Sequence, residues 1–445
     1  MGLLSYLFSF GKTEKTCDNC VKSFAQMWAT YNNRDDAVPG DDAYRPHTSP
    51  LPTTVPAAER LVAIGDIHGD YNKAVRAFRL AGLTDEKGRW CGGSTVAVQV
   101  GDILDRGDHE IRILVMLERL AGEAAAAGGR LYLLNGNHET MNVMGDHRYA
   151  TPGANLEVLG FSTWRDFCAL MKTRSGCQGQ ADPLQERRDA ALLASSSSHP
   201  AAHMARMAPY NWLRTRALQP GGELARRFFA ARPTVLQVGD NLFAHGGVLP
   251  SHVAYGLERI NKETQAWMLG READGTPAAS SSSPAASAAA LAYRAPVFLR
   301  GGNAIVWARA FSASDERRCD CSTLQRVLES VPGASRMVVG HTIQTRGINS
   351  ACEARVIRVD VGMSHGCGDG PVEVLEVLRD GQVRRLREHG PAVPVGPLPP
   401  RHPHPAHHMP QHQQHGHQGG AGKEAAAAGG QRPVAMGAGA ASTAA

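Results

Sequence analysis

The sequence predicts an α/β fold built on buried strands. Short aliphatic and β-branched runs recur along the middle of the chain, helical stripes lie between several of them, and five of the runs end in small glycine-bearing polar clusters. The runs lack the polar alternation of a half-solvated sheet, so both faces are expected to be covered. In order they span 61–64, 96–100, 131–134, 234–238, 241–244 and 337–339. Between the first two, residues 72–83 carry Ala74, Val75, Phe78 and Ala81 at helical spacing. A second helical stripe covers 111–120.

Of the 445 residues, 42% are hydrophobic but only 6% aromatic, so alanine supplies much of the apolar count; that suffices for one large core. Residues 1–57 close on a Pro/Thr-rich approach and read as an N-terminal extension. The catalytic domain is expected over 58–388, with low-complexity surface insertions near 195–205 and 274–292. The His/Pro/Gly/Ala-rich stretch 389–445 has almost no large apolar side chains to offset the entropy of ordering it, so disorder is expected there.

Forty-seven basic residues are scattered among 42 acidic ones, a net +5 with no block of like charge, which points away from nucleic-acid and membrane-surface partners. No apolar run approaches the roughly 18 residues of a membrane span. The nine cysteines are odd in number and mostly isolated, and read as reduced thiols of an intracellular protein. Cys17 and Cys20 have metal-site spacing but no second pair to complete a tetrahedral set. Six acidic residues in the first 45 are unlike a transit peptide, so a cytoplasmic location is expected, with a plastid or another organelle as the alternative.

The polar clusters hold Asp66 and His68, then Asp102, Asp105 and Arg106, then Asn137, His138 and Glu139, and finally His245 and His341. Ligands collect at the carboxyl ends of neighbouring strands in α/β folds, so five such clusters can converge on one point. Asp66, Asp102, His68, His245, His341 and the amide oxygen of Asn137 make a mixed O/N set suited to Mn, Fe or Zn. Six ligands are too many for one tetrahedral ion with an open position. With Asp102 bridging, they divide between two ions ~3.5–4 Å apart, the arrangement that clamps an in-line displacement at phosphorus.

These motifs resemble the metallophosphoesterase superfamily, and within it the phosphoprotein-phosphatase branch. Its pattern Gly-Asp-x-His-Gly, Gly-Asp-x-x-Asp-Arg-Gly and Gly-Asn-His-Glu is intact at 65–69, 101–107 and 136–139. The stretches at 137–146, 340–344 and 360–368 are closer still to the Shewanella-like protein phosphatases. The resemblance implies a metallophosphoesterase fold, with central mixed β-sheets packed as a β-sandwich and flanked by helices. It implies two divalent ions, manganese first with iron or zinc as alternatives. Asp66 and His68 would hold one, Asp102 would bridge, and Asn137, His245 and His341 would hold the other. A metal-bridging hydroxide would attack phosphorus directly, with no phosphoenzyme.

By the same resemblance Arg106 and Asn137 would contact the phosphoryl group, and His138 would protonate the leaving group, oriented by Asp105 or a neighbouring carboxylate; the alternative for His138 is a supporting hydrogen-bond donor. The second phosphate arginine is less clear, because the usual Leu-Trp-Ser-Asp-Pro stretch is replaced here by Ala304-Ile305-Val306-Trp307-Ala308-Arg309. Arg309 is the candidate and Arg300 the fallback. Phosphoprotein substrates are implied, phosphoserine and phosphothreonine before phosphotyrosine. The alternatives are a dinucleoside-polyphosphate hydrolase, which shares the metal motifs, and an inactive phosphopeptide-binding scaffold.

Overall fold

The computed structural model describes residues 52–162, 212–271 and 295–396. The Cys17/Cys20 pair, both expected low-complexity insertions and the His-rich stretch beyond residue 400 lie outside the described residues.

Two six-stranded mixed sheets form the centre. One contains β2 (Arg60–Ile64), β3 (Val96–Gln99) and β4 (Arg130–Leu133), all parallel, followed on the β2 side by antiparallel β10 (Glu373–Leu378), β11 (Val383–Arg387) and β12 (Val393–Pro394). The other runs β1 (Thr54–Val55), β5 (Val235–Val238), β6 (Asn241–Ala244), β7 (Arg336–Val339), β9 (Val356–Arg358) and β8 (Asn349–Ala351), with β6, β7 and β9 parallel. A single apolar cluster joins side chains of both sheets to α1 (Tyr71–Leu80) and α2 (Glu110–Ala126). Helix α1 starts where Asp70 accepts a hydrogen bond from the Lys73 amide, and it buries Ala74, Ala77 and Phe78, the stripe read from the sequence.

All six expected runs are strands, displaced by no more than a residue or two at their ends. Strands β8 to β12 have no counterpart among those runs. The central one, β10, reads Glu-Val-Leu-Glu-Val-Leu, and Glu373 and Glu376 are buried in it. Glu376 takes Arg60 and Arg384 from the strands on either side, and Glu373 takes Arg385, so the charges that mask the strand in sequence are neutralised by the pairing itself. The sheets also use Thr54–Val55 and Val393–Pro394, so folded chain runs past both limits set for the catalytic domain.

One expectation needs correction. Cys321 and Cys352 form a disulfide, so the cysteines are not all free thiols. The start of α6 (Cys321–Ser330; α4 and α5 are Pro250–Tyr255 and Leu257–Met268) packs near the β8–β9 turn, bringing the two Cα atoms to 5.2 Å, within bridging range. A separation of 31 residues in an otherwise irregular cysteine pattern carries no sign of this. Among the described residues, Cys91, Cys319 and Cys367 are free.

Strand register positions the site. Ile64 lies opposite Gln99 and Gln99 opposite Leu133, so β2, β3 and β4 end level and their loops emerge side by side. In the other sheet Phe243 pairs with Val338 and Val339 with Arg358, which brings 245, 341 and 360 out at one edge. No described helix is long and apolar enough to cross a membrane.

Candidate metal centre and active site

The loops after β2, β3, β4, β7 and β9 meet around a cavity of about 150 Å³. Asp66, His68, Asp102, Arg106, Asn137, His138, Arg309 and His341 line it, together with Tyr149, Trp307, Ile343, Asp360 and Cys367. His245 lies beneath, fully buried, with Nε2 2.8 Å from Asn137 Oδ1 and 3.1 Å from Asp102 Oδ2. Asp105 sits behind His138, its Oδ2 2.6 Å from the imidazole Nδ1. All ten side chains picked from sequence therefore converge. Arg300, the fallback, is exposed and does not line the cavity.

The loops are held in costly backbone conformations. His68, Asp102, Asp105, Arg106 and His341 all have positive φ, between 45° and 68°, a region that L-residues adopt only when their surroundings over-determine it. Glycines make the close approaches possible: a Cβ on Gly136 would stand 2.2 Å from Asp102 Oδ1, and one on Gly340 2.4 Å from Asp66 Oδ1.

Four residues that sequence reasoning did not assign to the site help to build it. The buried Glu139 carboxylate accepts hydrogen bonds from the amides of Asp102, Ile103, Leu104 and Gly136, clamping the Asp102 loop to the start of α3 (Asn137–Val143). Tyr149 accepts the Arg106 amide through its carbonyl and lies 4.7 Å beneath the guanidinium. Trp307 stands edge-on to His341 at 5.4 Å. Asp360 accepts the Gly362 amide, and burial raises its carboxyl to about 6. Glu139 belongs to the His-Glu pair of the third motif, but its sequence context says nothing of the four amides.

Glu139→Gln would leave one oxygen to serve four buried N–H groups. Each unpaired buried donor costs ~1–3 kcal/mol, so a loss of about 2–4 kcal/mol of stability is expected by denaturant unfolding. An unchanged midpoint would mean that the loop is held by other means.

The donors fit metal ions. His68 Nδ1 lies 2.9 Å from the Leu104 carbonyl and His245 Nδ1 3.0 Å from that of Val100. A carbonyl can only accept, so Nδ1 carries the proton in each ring and Nε2 is aimed inward, the orientation that ligating histidines use. His341 Nε2 is buried with no hydrogen-bond partner. An imidazole nitrogen left without a partner in a buried site is what a cation would satisfy. The candidate ligand atoms of His68, Asp102 and His138 lie within 4.8 Å of one another, and so do those of Asp102, His245 and His341, making Asp102 common to both groups.

The electrostatics agree with that. Burial pushes the Asp66 carboxyl well above the usual range, and neighbouring Asp360 adds to it. Burial also acts to raise Asp102, but His245, His138 and His68 together hold it well below the usual carboxylate range. For His245 the order is reversed: burial would lower the imidazole, yet Asp102 and Asp66 lift it to about 10. Burial and the charge on His245 drive His341 down to about 2, so its ring is neutral and its lone pair free. A divalent cation among these donors would neutralise the buried carboxylates directly.

Comparison with known proteins fits this arrangement. The family model of calcineurin-like phosphoesterases matches residues 59–235. Shewanella-like protein phosphatase 2 of Arabidopsis thaliana is 41% identical over 373 residues, 83% of this chain and 88% of the relative. The chain belongs to the Shewanella-like protein phosphatases. Shewanella-like protein phosphatase 1 of Plasmodium berghei is 25% identical over 68% of the chain and 67% of its own length. A mutant of a cold-active protein tyrosine phosphatase superposes with a TM-score of 0.53 at 22% identity, covering 78% of this chain and 82% of its own, which establishes the shared fold. As a Shewanella-like phosphatase the chain is a phosphoester hydrolase of the metallophosphoesterase fold, and the family implies divalent metals.

Proposed function

We propose that this phosphatase is a binuclear protein serine/threonine phosphatase that hydrolyses phosphate monoesters. Asp66, His68 and Asp102 would hold one divalent ion, and Asp102, Asn137, His245 and His341 the other, with manganese as the native metal. When bound, such ions supply an acidified water and positive charge for the phosphoryl oxygens. Arg106, stacked on Tyr149, would present its planar fork to those oxygens, and Arg309 and the Asn137 amide line the same cavity. His138 hands a proton to the departing alkoxide, oriented by Asp105. Burial would lower the His138 imidazole, but Asp102 and Asp105 overcome that and raise it, which favours the protonated ring an acid needs.

The observation that carries this is the meeting of the Asp105–His138 pair with the mixed O/N donor set and Arg106 in one small cavity. Cys367 also lines the cavity, but burial pushes its thiol up to about 12, so it is not a thiolate nucleophile near neutral pH. That favours direct attack by water over a cysteinyl phosphate.

A substrate panel is the test. With manganese supplied, phosphoserine and phosphothreonine peptides should turn over faster than phosphotyrosine peptides and than diadenosine tetraphosphate. Preference for the dinucleotide would replace the protein-phosphatase assignment, and preference for phosphotyrosine would change the substrate class. Phosphopeptide binding with no turnover and no metal would identify a scaffold.

A further inference from the structure

Behind the Asp105–His138 pair lies a buried polar network that the reaction described above does not use. Its hub is Arg214, from helical residues 212–218, whose side chain is 0% exposed. The guanidinium donates from Nη1 to Glu110 Oε2 at 2.8 Å, from Nη2 to Glu110 Oε1 at 3.0 Å, and from Nε to Asn142 Oδ1 at 2.9 Å. Nη2 also faces Asp105 Oδ1 at 3.4 Å.

Each partner leads to His138. Asp105 Oδ2 takes the His138 Nδ1–H and also the Asn142 amide, the latter at 3.0 Å. Asn142 Nδ2 reaches the His138 carbonyl as well, at 2.9 Å. Glu110 Oε1 accepts the Asp105 backbone amide at 2.6 Å, in a segment where Asp105 and Arg106 both have positive φ. A carboxylate holding an imidazole by one oxygen can still swing about its own Cβ–Cγ bond. Here the second oxygen faces a guanidinium that Glu110 and Asn142 hold in turn, so the swing is blocked.

We propose that Arg214 is a positioning residue for His138: through Asp105 and Asn142 it fixes the direction in which the imidazole Nε2 faces the leaving group. The proposal rests on His138 being the general acid. A fully buried arginine between two carboxylates and an amide has a bland alternative, stability alone. The two differ in what they do to substrates with different leaving groups. An alkoxide must be protonated as it departs, whereas nitrophenolate leaves unaided, so misplacing the acid harms only the former.

The experiment measures kcat and KM for a phosphoserine peptide and for p-nitrophenyl phosphate, with bound manganese determined in each sample. Arg214→Gln is expected to lower kcat on the peptide by ~10²-fold or more and on p-nitrophenyl phosphate by less than about 5-fold, with KM and manganese content unchanged. Arg214→Lys keeps the charge and most of the volume but cannot span three partners. It should show the same split at ~10-fold, and it decides the matter if the glutamine variant does not fold. The double variant with His138→Asn should lose no more on the peptide than His138→Asn alone. Equal loss on both substrates, or multiplicative loss in the double variant, would overturn the proposal. A split in His138→Asn with none in either Arg214 variant rejects Arg214 and keeps the acid. Equal loss on both substrates in His138→Asn rejects the acid itself.

Discussion

Asp102→Asn is expected to abolish metal-dependent phosphatase activity while leaving the protein folded. The side chain sits where both candidate ligand groups overlap, its Oδ2 3.1 Å from His245 and 3.6 Å from His68. An amide in its place keeps one oxygen but loses the negative charge with which a shared ligand would hold two cations. Metal ions supply several kcal/mol of transition-state stabilisation, so a loss of ~10³-fold or more follows at about 1.4 kcal/mol per tenfold. The fold should survive because Glu139 anchors the loop through the backbone amides of residues 102–104, and the one backbone bond of the Asp102 carboxylate, from the His138 amide to Oδ1 at 2.9 Å, can be kept by the amide oxygen of asparagine. Circular dichroism and a thermal melt check the fold, metal analysis the ions, and a phosphopeptide assay the rate. Retention of most activity would reject the bridging role.

His138→Asn should behave differently. Turnover is expected to fall by ~10²–10⁴-fold, the range that a positioned general acid contributes, with metal content near that of the parent protein. The second half of that expectation is the discriminating one, because His138 also falls in the cluster with His68 and Asp102, its Nε2 3.9 Å from Asp102 Oδ2. Its Nδ1 is committed to Asp105, so Nε2 is the atom in question. If the variant loses its ions, that nitrogen is a ligand and the proton must come from elsewhere. If the ions stay and the rate falls, it is the acid.

Much of the centre was readable because its chemistry is local. A strand followed by a short cluster of glycine and one or two candidate ligands forms a unit of fewer than ten residues, and the five units here needed no knowledge of the intervening chain. Glu139 stands inside one of those units and Asp360 just after β9, but what each of them faces is set by how separate segments pack. The four amides held by Glu139 come from two separate loops, and the buried setting of Asp360 depends on β9 ending level with β7 in the sheet. Strand β10 was hidden for a related reason: its buried glutamates look like surface residues until Arg60, Arg384 and Arg385 are brought beside them.

The sequence by itself determined the fold class, the order of the site-forming loops and the candidate donors they carry, because apolar runs and short motifs encode backbone geometry and residue chemistry over short range. Only the tertiary structure decided what stands behind those donors: the Glu139 clamp, the Arg214–Glu110–Asn142 network, the Tyr149 platform under Arg106 and the Cys321–Cys352 bridge. Each joins groups separated by tens of residues to just over a hundred, as with Arg214 and Asp105, 109 apart. Such contacts depend on chain packing and sheet register, and leave no mark on the composition or spacing of either partner.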